Sequence, residues 1–552
     1  MSIRSGELAN EITAEFDAVV VGAGFAGLYM LHRLRGDGYS VKVLEAAADV
    51  GGTWYFNRYP GARCDIESMS YSYSFSEELQ QEWAWTERYA AQPEILSYIN
   101  HVADRFALRP DIQFETRVTQ ALFDDATQRW LIVTDRGDVF AAKVCVLATG
   151  CLSVPQQPDI KGLDSFDGRW YHTGFWPHEG VDFSGQRVGV IGTGSSGIQA
   201  IPIIAEQAAH LTVFQRTANY SVPAWNSPLD PNAVAQWKAR YPEIRERARN
   251  GLAGVGFDGR VCATLEIAPE EQQHELERRW KHGGLVMWET FTDVLSNEEA
   301  NAVTADFVRQ KIRAQIDNPE IADLLCPKGF PYGTKRICTD TNYYRTFNRD
   351  NVALVDIASA PIDEITPTGL RTGGQSYELD ALVFATGFDA MTGPILDIDI
   401  RGRDGLSLSD KWSAGPRTYL GLMVAGFPNL FAIAGPGSPS VLSNMVVSIE
   451  QHVDWIADCL EHMRQEGLDC IEPAKEAEDG WVDHANELAS ATLFPRANSW
   501  YMGANIPGKP RVFMPYLGGV GSYRKICDEV ASNAYDGFVM IESSSHKKSV
   551  SL

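Results

Sequence analysis

Residues 16–47 read FDAVVVGAGFAGLYMLHRLRGDGYSVKVLEAA, and this stretch decides the fold. Ala18 to Val21 is an apolar run of strand length, Gly22 to Gly27 a turn, Leu28 to Leu34 the start of a helix, and Val41 to Leu44 a second strand. The order strand, turn, helix, strand is a βαβ unit. Residues 186–216, QRVGVIGTGSSGIQAIPIIAEQAAHLTVFQR, repeat it. The expected class is therefore α/β with two Rossmann-like dinucleotide-binding domains.

The two glycine turns predict different ligands. In the first, Gly22 permits the tight turn, Gly24 lets backbone approach a pyrophosphate, and Gly27 lets helix and strand pack closely. Glu45 ends the next strand, where a carboxylate accepts hydrogen bonds from ribose hydroxyls. The second turn has Gly192, Gly194 and Gly197, and at the spacing that separates Gly24 from Glu45 it carries Gln215, followed by Arg216 and Thr217. An acid there would repel a 2′-phosphate and an arginine would pair with it, so the second nucleotide is expected to be NADP(H) and not NAD(H).

Composition narrows the remaining classes. The chain has 552 residues, enough for about three domains. Its formal net charge of −24 repels polyanions and argues against nucleic-acid binding as the main task. No apolar run has the length of a signal peptide core or a membrane helix, which points to a cytoplasmic protein. Nine cysteines are scattered without a C-x-x-C pair, so neither a metal site nor a redox disulfide is expected.

Between the second unit and Phe330 the character changes. PEIRERARN, PEEQQHELERRWKH and NEEANAVTADFVRQKIRAQI carry dense charge with spaced apolar residues, as solvent-facing helices do. These form a helical insertion into the second unit, spanning 223–333. VCVLATGC (Val144 to Cys151) and ALVFATGFDA (Ala381 to Ala390) echo one another where the chain enters or leaves a sheet. The expected division is 15–145 with 381–545 for the first dinucleotide domain and 146–222 with 334–380 for the second. The last residues, ESSSHKKSVSL, lack apolar anchors and read as a frayed tail.

One segment fits neither period. FDGRWYHTGFWPHEG, from Phe166 to Gly180, reads as an ordered loop rich in aromatics. Its Phe166, Gly168, His172, Trp176 and Pro177 match the F-x-G-x-x-x-H-x-x-x-W-P pattern, and the chain here resembles the type I Baeyer–Villiger monooxygenases, which carry that pattern between their two glycine turns. The resemblance runs through GGTWYFNRYPGARCDIES, GTKR, AGPGSPSVLSNM and NSWYMGANIPGKPRVFMPY. It implies FAD in the first domain, packed along Gly52, Thr53 and Trp54, and NADPH in the second. It also implies a reaction in which NADPH and dioxygen, by way of a flavin peroxide, turn a ketone into an ester or lactone; oxidation of sulfides or amines is the alternative.

The resemblance further implies the site residues. Arg336 matches the family's active-site arginine and Asp65 the acid that orients it. Lys335 joins Arg216 and Thr217 around the 2′-phosphate. Trp500 matches a late tryptophan that bonds the nicotinamide nucleotide, and Ser440, Val441, Leu442 and Met445 the segment bordering the ketone pocket. His172 is expected to relay movement between domains and not to act as a base.

Overall fold

The computed structural model describes residues 11–256 and 262–542. The run read as a frayed tail lies outside the described residues from 543 onward. β1 (Ala14–Val21) opens the first sheet, and its Ala18, Val19 and Val20 are fully buried, which explains an apolar run without alternation. It pairs in parallel with β2 (Val41–Leu44), which pairs with the short β3 (Ile112–Gln113). β4 (Val118–Asp124), β5 (Arg129–Thr134) and β6 (Val139–Leu147) form an antiparallel meander whose last strand lies parallel to β1. Strands Asp399–Arg401 and Leu430–Ala432 return to this sheet beside β4 and β6. The helix Phe25–Gly36 links β1 to β2 and packs on the long helix Met445–Glu466.

The second sheet has five parallel strands. β7 (Arg169–His172) lies at one edge, followed by Ala381–Phe384, β8 (Arg187–Ile191), β9 (His210–Gln215) and, at the far edge, Val352–Asp356. One expectation is corrected here. Ala381–Phe384 belongs to this sheet, so the chain does not regain the first unit at 381 but further on, with Asp399–Arg401. The ATG echo follows two strands of different sheets, β6 of the first and Ala381–Phe384 of the second.

The aromatic segment is likewise not all loop, since Arg169–His172 forms β7. An edge strand has one neighbour, and here Arg169 and Trp170 face solvent, so the alternation that would reveal a strand is lost.

The insertion leaves at β10 (Ser221–Pro223) and returns at β11 (Cys338–Asp340), which pair in parallel and close it at its base. Its helices divide between the two units rather than serving the second alone. Tyr241 and Val255 enter the core around the first sheet, whereas Leu276, Trp280, Phe307 and Val308 enter the second. Arg245 of the charged helix Tyr241–Asn250 is buried and donates to the Ser70 carbonyl (3.1 Å) and the Ser72 hydroxyl (2.7 Å), so this helix is anchored by an arginine that sequence pattern assigns to solvent.

All nine cysteines are free thiols. Among the described residues no helix is long and apolar enough to cross a membrane, and no three His, Cys, Asp or Glu side chains group as metal ligands.

Candidate active site

The helix Phe25–Gly36 begins at Gly24 with no side-chain cap and no acid in its first turn. Among the described residues no side chain caps its first N–H groups, a start that suits an anion. The turn is closed by geometry. Gly22 has φ +104°, and a Cβ on Gly27 would stand 1.8 Å from the Gly22 carbonyl oxygen, so no side chain fits at either position. Gly52 crosses directly over Gly24, with 3.0 Å between a Cβ placed on Gly52 and the Gly24 Cα.

Thr53 and Trp54 follow in a short helix. The Trp54 indole is buried and donates to the Tyr71 hydroxyl at 3.2 Å. Glu45 lies under the turn and accepts the Ala23 and Ala47 N–H groups, the latter at 2.7 Å. Burial raises its carboxyl above the ordinary value, with the two backbone donors pulling the other way.

The second turn copies this geometry. Gly192 has φ +111°, a Cβ on Gly197 would stand 2.3 Å from the Gly192 carbonyl oxygen, and the helix Ser195–Gln207 begins at Gly194 without a side-chain cap. The residue that takes the place of Glu45 behaves differently. Gln215 turns its amide away from the turn and donates to the Leu324 carbonyl of the insertion at 2.8 Å. That leaves Arg216 exposed beside Lys335, whose ammonium is held below its ordinary value by burial and by Arg216. Two neighbouring cations, neither in an ion pair among the described residues, make a site that an anion would stabilise. Thr217, on the same edge, accepts the Thr193 hydroxyl through its carbonyl at 2.9 Å.

Between the turns the segment 334–340 meets the first unit. Arg336 donates from Nε to Asp65 at 3.4 Å and from a terminal nitrogen to the Val441 carbonyl at 3.1 Å. Burial alone would depress the guanidinium, but Asp65 foremost, together with Tyr501 and Cys64, more than offsets it, and the group stays charged. The Tyr501 hydroxyl stands in the field of this arginine without making a bond of hydrogen-bonding geometry; burial pushes it up to about 12, with Arg336 acting in the opposite sense.

A model of the pyridine nucleotide-disulphide oxidoreductase family matches residues 19–243. A Baeyer-Villiger monooxygenase of Pseudooceanicola batsensis is 45% identical over 537 residues, covering 97% of this chain and 98% of its own. This chain belongs to the Baeyer–Villiger monooxygenases. Among solved structures, an oxidized steroid monooxygenase bound to NADP is 53% identical with a TM-score of 0.93, covering 96% of this chain and all of its own. OTEMO in complex with FAD and NADP is 41% identical with a TM-score of 0.92, over 95% and 99%. As a Baeyer–Villiger monooxygenase the protein uses FAD and NADPH. The residues present fit both: two glycine cradles that a Cβ would fill and, at the second, Arg216 and Lys335, neither in an ion pair among the described residues.

The remaining residues of this Baeyer–Villiger monooxygenase gather less tightly. Ser440, Val441 and Leu442 form one buried turn of helix, and Ser440 has the strained φ of +39° while bonding the Ala434 carbonyl at 3.2 Å. Met445 begins the helix that Asn444 caps. Trp500 packs on Tyr501 with ring centroids 4.2 Å apart, partly buried.

His172 lies outside this cluster. The Gly174 N–H donates to its Nδ1 at 3.0 Å, so Nε2 carries the proton and donates to the Thr386 hydroxyl, which donates to the Gln156 carbonyl. Burial lowers its pKa to about 4, and a neutral imidazole with both nitrogens engaged is a pin between chain segments. Phe166 covers Gly168, where a Cβ would strike the Asp380 carbonyl at 2.4 Å; Trp176 is buried in the second core and Pro177 follows it half-buried.

Thr339 and Tyr501 escaped the sequence reading. Their neighbours Arg336 and Trp500 carried the signal, and nothing in the spacing marks the adjacent hydroxyls as part of the site.

Proposed function

We propose that the protein oxygenates ketones to esters or lactones, with the Arg336–Asp65 pair at the centre of its chemistry. The observation that carries this reading is a buried guanidinium, held by Asp65 and the Val441 carbonyl, at the meeting of the two nucleotide units. FAD, when bound, supplies oxygen activation, and NADPH supplies the hydride. The chain's residues do the rest. Attack on a ketone carbonyl places negative charge on its oxygen, and a fixed cation already paid for in folding stabilises that charge without reorganising.

Arg336 keeps further N–H donors beyond the two that are engaged. Asp65 holds it in place and keeps it ionised. Leu442, Met445, Trp500, Met502 and Phe513 belong to one apolar cluster that excludes water from this side. Glu45 serves the ribose of FAD, Arg216, Thr217 and Lys335 the 2′-phosphate of NADPH, and Trp500 the nicotinamide side. Reduced thiols and the NADPH requirement support a cytoplasmic setting.

The test is Arg336→Ala with NADPH, oxygen and a panel of ketones of graded size. The variant is expected to bleach its flavin on NADPH addition and to consume NADPH while making no ester. Ester formation at the native rate would refute the assignment.

A further inference from the structure

We infer that Thr339 is a positioning residue that holds Asp65 back from a full ion pair with Arg336 and so keeps the arginine's outward donors free. The inference rests on the reading of Arg336 given above.

Asp65 has two oxygens and the structure uses them unequally. Oδ1 accepts the Thr339 hydroxyl at 2.8 Å, whereas Oδ2 receives Arg336 Nε at 3.4 Å, a long contact for a charge-assisted bond. The neutral partner therefore holds the carboxylate more closely than the charged one. Left to itself, an arginine–carboxylate pair closes to a two-bond fork of about 2.7–2.9 Å. Here that closure would require Asp65 to turn Oδ1 away from Thr339.

The geometry that fixes Thr339 is independent of Asp65. Thr339 lies in β11, opposite Val222 of β10, and is 3% exposed. Its neighbour Cys338 points to the other face and meets the Ser195 hydroxyl at the start of the second nucleotide helix, 3.3 Å away. The strand is thus held on both sides, and the Thr339 hydroxyl is delivered by a rigid element. Arg336 and Thr339 come from one short segment and reach the same carboxylate from two directions, one as charge and one as restraint.

Thr339→Val keeps the β-branched shape and removes only the hydroxyl. The orphaned Oδ1 is expected to swing onto the guanidinium and draw it from the Val441 carbonyl. Ester formation should then fall about ten- to a hundredfold in kcat, the size of one charge-assisted bond, with the ketone KM little changed. NADPH oxidation should continue, with hydrogen peroxide replacing ester, and the flavin absorbance spectrum and flavin content should stay native. Thr339→Ser should restore coupling.

Because a variant could perturb packing, the second measurement is a double-mutant cycle: in the Asp65→Asn background Thr339→Val should add little. Native coupling in Thr339→Val, failure of serine to rescue, or an equal further loss in the Asp65→Asn background would each overturn the inference while leaving Arg336 in its role. Normal ester formation by Arg336→Ala would overturn the underlying reading instead.

Discussion

The two glycine turns of this protein share a backbone and differ in what lies beneath them. At both, the first glycine has φ above +100°, the third admits no Cβ, and the helix starts uncapped. Under the first, Glu45 folds back onto the turn and accepts its Ala23 N–H. Under the second, Gln215 is drawn off to the insertion and leaves Arg216 beside Lys335. Both backbones suit a pyrophosphate, and the residue at the end of the next strand is what differs between them. One fold unit used twice is thus differentiated by two side chains and by the insertion that captures one of them.

The sharpest way to break this comparison is to fill each turn in turn. In Gly27→Ala the new methyl would meet the Gly22 carbonyl oxygen at 1.8 Å, closer than any relaxation of one side chain can relieve. Overpacking of this kind costs about 1–3 kcal/mol or more, so FAD occupancy should fall well below one per chain by absorbance. Gly197→Ala, at 2.3 Å from the Gly192 carbonyl, should instead retain FAD and lose NADPH, seen as a KM raised roughly ten- to a hundredfold. Loss of the same cofactor in both variants would show that the turns are not independent.

A smaller effect separates the turns by charge. Arg216→Ala should lower kcat/KM for NADPH about tenfold or more while leaving NADH little changed, the worth of one charge-assisted hydrogen bond. Equal losses with both nucleotides would move the specificity elsewhere in the second turn.

The smallest effect concerns the His172 pin of the second unit. His172 is held at about 4 against an ordinary 6.5 by burial. Above the ordinary value it is neutral in both states; as pH falls from 6.5 toward 4 the unfolded chain takes up a proton that the native chain does not, and stability is lost. Thermal midpoints of wild type should therefore drop more steeply than those of His172→Gln between about pH 7 and pH 5. Parallel slopes would mean that His172 titrates at its ordinary value in the native protein.

Much of the fold was legible because its signals are short. Val41–Leu44 appears where the apolar run predicts it, and the first helix starts three residues earlier than its apolar residues suggest, at Phe25, because an uncapped glycine turn leaves no polar marker at the start. What misled were edges and junctions. β7 has solvent on one side, Ala381–Phe384 sits in the other sheet from its echo, and the helix around Arg245 reads as a solvated face although it is bonded to Ser70 and Ser72.

By itself the sequence determined the two glycine turns and the charge that separates them, because excluded Cβ atoms and local charge act within a few residues; Arg336 and Asp65 stood out only by their resemblance to the family's motifs. Only the tertiary structure brought Asp65 within reach of residues 336 and 339, set the Val441 carbonyl against the guanidinium, and turned Gln215 away. Those contacts join segments separated by a hundred residues or more, where the chain crosses between units, and such pairings leave no period in the sequence from which to read them.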